Sequence, residues 1–356
     1  MKKFLRNSIL FFNLLAILGL LMSYLSVKIS PASWWVAAFF GLAFPYFLLL
    51  NLLFIVLWLF TKTRFAILSL LAIAVGYTHL SHYIQLTGKQ STEEGLVVCS
   101  YNVKNFYGDM RSKKSDVAAN VLTHLQSKKA DVICLQEFRP SGQNSFTKRP
   151  TKGKLPDPKK LKYVHTSKTG SLVNYSSFPI IYKEEVHFEA SANMILISDL
   201  KTPTDTLRLF NCHLESYRFT DAEIQSLDSI SFKEQEETYR KVRYTGSKLK
   251  KAFIKRTEQA ETLHQLIAAS PHEVIVCGDF NDTPISYTYA TVAQGLKDAF
   301  VGSGVGIGNT YLGKLPSFRI DYILHSPNYQ SYNFKVDRVN YSDHYPISCT
   351  LIKSDQ

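Results

Sequence analysis

The pair Asp343-His344 stands directly before the apolar run Tyr345-Pro346-Ile347-Ser348-Cys349-Thr350-Leu351-Ile352. It puts a carboxylate and an imidazole together at one end of a predicted strand. A carboxylate binds a divalent cation, and an imidazole takes a proton from water near neutral pH. Five other apolar runs carry comparable residues at one end. Leu96–Tyr101 leads into Asn102, Asp131–Gln136 into Glu137, and Leu207–Cys212 into His213. Val274–Cys277 leads into Gly278-Asp279-Phe280-Asn281-Asp282, and Arg319-Ile320-Asp321 opens Tyr322-Ile323-Leu324. Short β-branched runs read as buried strands, and a polar residue just past such a strand reaches the sheet rim and water. Several such rims converging would build a site of carboxylate, amide and imidazole. That composition suits a hard divalent cation and an attacking water.

In chain order the motifs are Tyr101-Asn102-Val103, Leu135-Gln136-Glu137, Cys212-His213-Leu214, Gly278-Asp279-Phe280-Asn281, Arg319-Ile320-Asp321-Tyr322 and Ser342-Asp343-His344. Together they resemble the endonuclease/exonuclease/phosphatase superfamily, deoxyribonuclease I-like, over roughly residues 95 to 353. The resemblance implies a four-layer α/β sandwich, two packed mixed sheets flanked by helices. It implies Mg²⁺, with Mn²⁺ as the alternative, held by Glu137 as main ligand with Asn102 and Asp343 close by. By the same resemblance, Asp279 and Asn281 orient the attacking water or the phosphate. His344 acts as base or phosphate ligand, Asp321 fixes its tautomer, and His213 lies near the phosphate. Which group is the general base stays open. A looser match runs from Gly170 to Ile180, where Asn174 takes a usually apolar position and the loop is expected to be altered. Arg256-x-x-Gln259 matches a helix of the family and reads as structural first.

The elements that position these motifs begin after a different kind of sequence. Residues 1–88 contain no Asp or Glu. Three apolar stretches, about Ile9–Val27, Trp34–Phe60 and Phe65–Ile84, each reach the roughly 20 residues that cross a bilayer. They are expected to be three transmembrane helices, with Pro45 kinking the second and Trp34, Trp35, Trp58, Tyr77 and Tyr83 at the interfaces. Lys2, Lys3 and Arg6 precede the first stretch, Lys28 lies in the first loop, and Lys62 and Arg64 lie in the second. The positive-inside rule then puts the C-terminal domain on the extracytoplasmic side of a multi-pass membrane protein. A cleaved leader is the alternative reading of the first stretch. The expected organisation is an anchor at 1–88, a linker at 89–95 short enough to keep the domain near the bilayer, and a catalytic domain at 96–356.

Formal net charge is +12, of which the anchor's six basic residues carry half. The remainder sets 35 basic against 29 acidic side chains, weaker than a dedicated nucleic-acid binder shows. A basic stretch from Lys148 to Lys162 holds three prolines, Pro150, Pro156 and Pro158, and reads as a loop. Because it follows Glu137 closely, it is expected near the active rim, facing a phosphate-bearing substrate or simply solvated. Residues 215–255 read as helical, acidic first and basic afterwards, either solvated or facing the site or membrane. Cys99, Cys134, Cys212, Cys277 and Cys349 fall inside strands, which is not a disulfide framework. The sequence therefore points to a membrane-anchored phosphoesterase whose partners are a lipid bilayer and a phosphate-ester substrate, lipid or nucleic acid. No protein partner is inferred. The alternatives are an extracytoplasmic nuclease and a catalytically dead, membrane-tethered binding module. A dead domain should have lost one of Glu137, His213, Asp279 or His344, and all four are present.

Overall fold

The β-branched runs form strands, and nearly every side chain in the central ones is buried, as their unbroken apolar patterning demands. A computed structural model describes residues 3–106, 114–138, 160–220, 222–223, 225, 235–313 and 318–354. Two six-stranded sheets result. The first has the order β13 (Tyr329–Val336), β14 (Ile347–Lys353), β2 (Leu96–Asn102), β3 (Val132–Gln136), β5 (Leu172–Ser176), β4 (Tyr163–Thr166). The second has the order β10 (Lys297–Asp298), β12 (Asp321–His325), β9 (Glu273–Asp279), β8 (Thr206–His213), β7 (Met194–Lys201), β6 (Ile180–His187). A small pair joins β1 (Ile84–Gln85) to β11 (Gly306–Ile307). Each large sheet is mixed, with one parallel pair at its centre: β2 beside β3, and β8 beside β9.

One core lies between the sheets, with Val98, Val132, Cys134 and Ile347 of the first meeting Leu209, Ile275, Cys277 and Ile323 of the second. The other face of the first sheet is covered by α7 (Lys114–Ser127), whose Val117, Val121 and Leu125 pack on Tyr101, Ile133 and Leu135. These three sit at i, i+4 and i+8, one stripe of a helix. The result is the expected pair of mixed sheets flanked by helices. All five cysteines are buried and free. The unusual Asn174 is explained here. It accepts from Asn211 Nδ2 at 2.8 Å and donates to Ser198 Oγ at 3.0 Å, while Asn211 Oδ1 accepts from Gln136 Nε2 at 2.8 Å. His165 Nδ1 meets Ser198 Oγ at 2.8 Å. A hydrogen-bonded bridge thus crosses the sandwich where apolar side chains would otherwise meet, and it locks the register of the two sheets.

Chain contacts divide the molecule into two units, the sandwich and a second unit of Met1–Tyr83, Ser231–Glu261 and Asp282–Val292. In this second unit, α1 (Lys3–Ser26) is followed by α2 (Pro31–Trp34), α3 (Val36–Leu42), α4 (Phe44–Leu59), α5 (Ala66–Val75) and α6 (Tyr77–Ser81). Three clear transmembrane helices are not what forms. Among the described residues α1 alone is long and apolar enough to span, and α3 with α4 passes that test only as a pair bent by 60°. The bend falls at Ala43, two residues before Pro45, whose ring cannot continue the preceding turn. The third stretch breaks at Gly76 and leaves α5 at 10 residues, which spans about 15 Å, half the hydrocarbon layer. Gly76 lies against the Tyr24 ring so closely that a Cβ would stand 2.0 Å from it.

Polar side chains of these helices point inward. Asn13 Nδ2 donates to Ser69 Oγ at 2.7 Å, Ser69 Oγ donates to Asn51 Oδ1 at 2.9 Å, and Trp58 Nε1 donates to Asn13 Oδ1 at 2.9 Å. Trp58 is therefore a buried member of this network and not the interfacial residue its position near a segment end predicts. Arg256, on α8 (Gln235–Ala268), is fully buried and pairs with Asp282 at 3.2 Å, in keeping with the structural reading of Arg-x-x-Gln. Residues 148–159 of the basic stretch, and Asp221, Asp228 and Glu234 of the acidic one, lie outside the described residues. The described end of the basic stretch departs from expectation. Lys160 pairs with Asp131 at 3.2 Å, at the start of β3, whereas Glu137 follows its end.

Candidate active site

The two parallel pairs deliver polar residues to one rim. Asn102 ends β2 opposite Gln136, so Glu137 emerges one residue past β3. His213 ends β8 opposite Asp279, and Asp321 opens β12 on the other side of Asp279. Gly278 makes this possible: at φ 152 it lies so close to β8 that a Cβ would sit 2.0 Å from the Cys212 carbonyl oxygen. Past the strands the backbone turns sharply. Lys104, Asn105, Phe106, Glu137 and Asn281 all have φ between 45° and 57°. Left-handed residues other than glycine cluster where a fold holds side chains for a purpose, against a local cost on the order of 1 kcal/mol each.

The side chains converge. Asn102 Nδ2 donates to Asp279 Oδ2 at 2.9 Å and to Glu137 Oε1 at 3.2 Å. Asn105 Nδ2 donates to the other Glu137 oxygen at 3.2 Å. His213 Nε2 lies 3.7 Å from both Glu137 Oε1 and Asp279 Oδ2. His344 Nε2 lies 3.6 Å from Asp279 Oδ2, while its Nδ1 meets Asp321 Oδ2 at 2.9 Å. Asn281 holds Asp279 through its backbone N–H at 2.8 Å and anchors its own amide on the Leu214 carbonyl at 2.9 Å. Ser342 Oγ donates to the Asn102 carbonyl at 2.8 Å and fixes the loop that carries Asp343 and His344. All eight predicted residues therefore stand at one rim. Asp343 points to its edge, where Lys104 Nζ meets it at 2.7 Å.

Burial sets the charges. Burial raises the Asp279 carboxyl against the pull of His344 and His213, and with Asp321 nearby it is pushed up to about 6. For His344, burial opposes protonation, but Asp321, Asp279 and the Asp321 hydrogen bond outweigh it and hold the imidazole well above its ordinary value. Burial would also raise Asp343, yet His344 and Lys104 keep it below the usual carboxylate range. An imidazolium at neutral pH is a cation for phosphate oxygens and a proton donor. Of the two roles expected for His344, this charge state suits the phosphate ligand.

A family profile described as the endonuclease/exonuclease/phosphatase family matches residues 99–344. The chain belongs to that family. Residues 3–83 match a second profile, described as a domain of unknown function. No curated protein matches the chain. Among solved structures, TDP2 from C. elegans is similar over 83% of this chain and 83% of its own, at 18% identity and a TM-score of 0.50. D. rerio TDP2, complexed with single-strand DNA product, is similar over 73% of this chain and 100% of its own, at 19% identity and a TM-score of 0.50. The human Nocturnin catalytic domain, at 14% identity, covers 73% of this chain and 95% of its own, with a TM-score of 0.48. At these identities the first two show a shared fold.

Enzymes of the endonuclease/exonuclease/phosphatase family depend on a divalent metal, and two parts of this rim offer oxygen ligands. Asp279, Asp321 and His344 bring their ligand atoms within 4.8 Å of one another. That trio is buried, and its closest atoms are already spent on the His344–Asp321 hydrogen bond. Glu137 is the better seat. Its side chain is 31% exposed, two amides hold both its oxygens in place, and Asp343 stands on the same rim. A hard cation that keeps several waters needs such an open carboxylate. Motif reading passed over Lys104 and Asn105. Both follow the Asn102 motif directly, and their signal was a run of short-range polar residues after a strand. Tyr311 was also missed, and its ring packs edge-on against His344 at 5.3 Å.

Proposed function

We propose that this chain is a membrane-attached, metal-dependent phosphoesterase that cleaves its substrate with an activated water. The observation that carries the reading is the meeting of Glu137, His213, Asp279 and His344 through contacts of 2.9 to 3.7 Å, bridged by Asn102. Mg²⁺ or Mn²⁺ held by Glu137, with Asp343 beside it, would stabilise phosphate charge and make a bound water more acidic. The chain's own groups supply the rest. His344, kept protonated by Asp321 and Asp279, neutralises charge that grows on a phosphate oxygen or protonates the leaving oxygen. Asp279, raised toward neutrality between two imidazoles, accepts a proton from water. Asn281 holds that carboxylate still, and His213 binds a second phosphate oxygen. Asn102 ties the two carboxylates so that neither swings away.

Membrane attachment rests on α1, on the bent α3–α4 pair, and on 88 residues without an acid. The charge bias of Lys2, Lys3 and Arg6 against Lys28 supports an inside N-terminus and, for an odd number of crossings, an extracytoplasmic catalytic domain. A phosphatase-reporter fusion at the C-terminus tests that side: an active reporter is expected, and an inactive one would mean an even number of crossings. Tethering favours a lipid or envelope-derived phosphodiester over a nucleic acid. The full chain in nanodiscs should be given fluorescent phospholipid and single-stranded oligonucleotide, each with Mg²⁺, Mn²⁺ or EDTA. Metal-dependent release from the lipid is expected to be the faster. The reverse ratio selects the nuclease reading, and no release with any metal selects a binding module.

A further inference from the structure

Between Thr238 and Thr257 the helix α8 carries eight basic residues and no acid. Arg256 pairs with Asp282, and the other seven are Arg240, Lys241, Arg243, Lys248, Lys250, Lys251 and Lys255. Seven such charges within 16 residues span about 24 Å of helix. They do not alternate with acids in the i, i+4 pattern that would make this a self-neutralised, solvated face. Lys241 pairs with Glu237, one turn earlier, at 2.8 Å.

The same helix carries an apolar stripe. Tyr239, Val242, Leu249 and Phe253 follow at spacings of 3, 7 and 4, which keeps them on one face. The C-terminal end of that stripe is covered. Phe253 is buried and packs edge-on against Phe39 of α3 at 5.2 Å. Its N-terminal end is not: Tyr239 is 64% exposed and Val242 55%. Arg243 and Lys250 border the stripe. Lys250 Nζ sits 4.8 Å over the ring of Trp35, in the segment that joins the first two apolar helices. A tryptophan between spans marks the headgroup level of a bilayer. The helix is therefore held at that level at residues 250–253, with an apolar face that continues past its protein partner and a basic face beside it.

We propose that residues 239–251 of α8 lie in the headgroup layer of an anionic bilayer, with Tyr239 and Val242 inserted and Arg243 and Lys250 on lipid phosphates. This rests on the membrane reading of the N-terminal helices and adds a lipid-binding surface to it. An amphipathic helix of this composition binds through buried apolar area plus attraction to anionic lipid. The anionic lipid requirement separates it from a helix that merely touches the bilayer.

Spin labels test it in the full chain, because the five native cysteines are buried. One label is placed by Val242→Cys, and a reference label by Leu49→Cys on α4, where the native side chain is 54% exposed. Collisions with oxygen and with a water-soluble nickel chelate report depth in nanodiscs of neutral lipid and of lipid with one third phosphatidylglycerol. The Leu49 label should be oxygen-accessible and nickel-shielded in both. The Val242 label should become nickel-shielded only with the anionic lipid. Replacing Arg240, Arg243 and Lys250 together by Gln should weaken that response by about 100-fold in apparent lipid affinity. A Val242 label that stays nickel-accessible while the Leu49 label is shielded overturns the proposal alone. A nickel-accessible Leu49 label overturns the membrane reading itself. A Val242 label shielded by an oligonucleotide and not by anionic lipid also overturns the proposal and makes this a nucleic-acid face.

Discussion

The N-terminal helices and the strand rim both bury polar side chains, and they do so in opposite ways. In the helices the buried groups are neutral, and they close on themselves: Trp58 to Asn13, Asn13 to Ser69, Ser69 to Asn51, and Asn51 Nδ2 to the Ala16 carbonyl at 3.0 Å. At the rim the buried groups are charged, and the set does not close. Among the described residues Asp321 Oδ1 has no partner, Asp279 lies between two imidazoles without a short bond to either, and Glu137 keeps an open side. A satisfied neutral network fixes which helices pack and asks for nothing else. An unclosed charged cluster waits for a cation and an anionic substrate. Buried polarity alone therefore does not mark a site. Residual unpaired charge on strained backbone does.

Four substitutions sharpen this contrast. The largest effect is expected at the rim. Glu137→Gln should lower turnover at least about 10³-fold, with the melting temperature unchanged, as followed by steady-state kinetics beside circular dichroism. Asp321→Asn should follow, with a loss of about 10²–10⁴-fold in kcat. It removes the charge that holds His344 protonated, so the alkaline limb of the pH–rate profile should move to lower pH. If kcat holds and only KM rises, Asp321 positions substrate and does not govern His344. In the helices, Asn13→Leu should do the reverse. It strands the Trp58 N–H and removes the donor to Ser69 Oγ, whose own bond to Asn51 remains, and should cost about 1–2 kcal/mol in detergent unfolding while turnover of a soluble substrate is kept.

The smallest effect concerns His165, at the end of the bridge between the sheets. Burial first, then Lys183, lowers its pKa to about 4. The folded chain therefore refuses a proton that the unfolded chain accepts near 6.5. Stability from this group is complete above 6.5 and falls as pH drops from there toward 4. His165→Gln should flatten that part of the stability–pH curve, measured by urea midpoints. An unchanged slope would assign the acid sensitivity to other groups.

The rim was the legible part of the sequence. Each of its residues abuts an unbroken apolar run, and a strand end fixes position to within a residue, so Asn102, Glu137, His213, Asp279 and Asp321 could be placed by pattern alone. Lys104 and Asn105 could not, since their approach to Asp343 and Glu137 depends on three consecutive left-handed residues that no local pattern announces. Lys160 was misplaced because nearness in sequence to Glu137 was taken for nearness to the rim, when the connection from β3 to β4 returns to the other end of the strand. The third apolar stretch had a span's length and composition. Its break at Gly76 lies directly against the Tyr24 ring, a tertiary contact invisible to hydropathy. Trp58 was misjudged for the same reason, because a segment-end aromatic looks interfacial until an inward Asn13 claims its N–H.

The most direct test of the central claim is hydrolysis of bis-p-nitrophenyl phosphate by the full chain in nanodiscs, as purified, after EDTA, and after Mg²⁺ or Mn²⁺ is returned, with His344→Ala alongside. Turnover that disappears with EDTA, returns with metal and is absent in the variant is the expected result. Turnover that survives EDTA, or persists in His344→Ala, would contradict a metal-dependent site built on this rim.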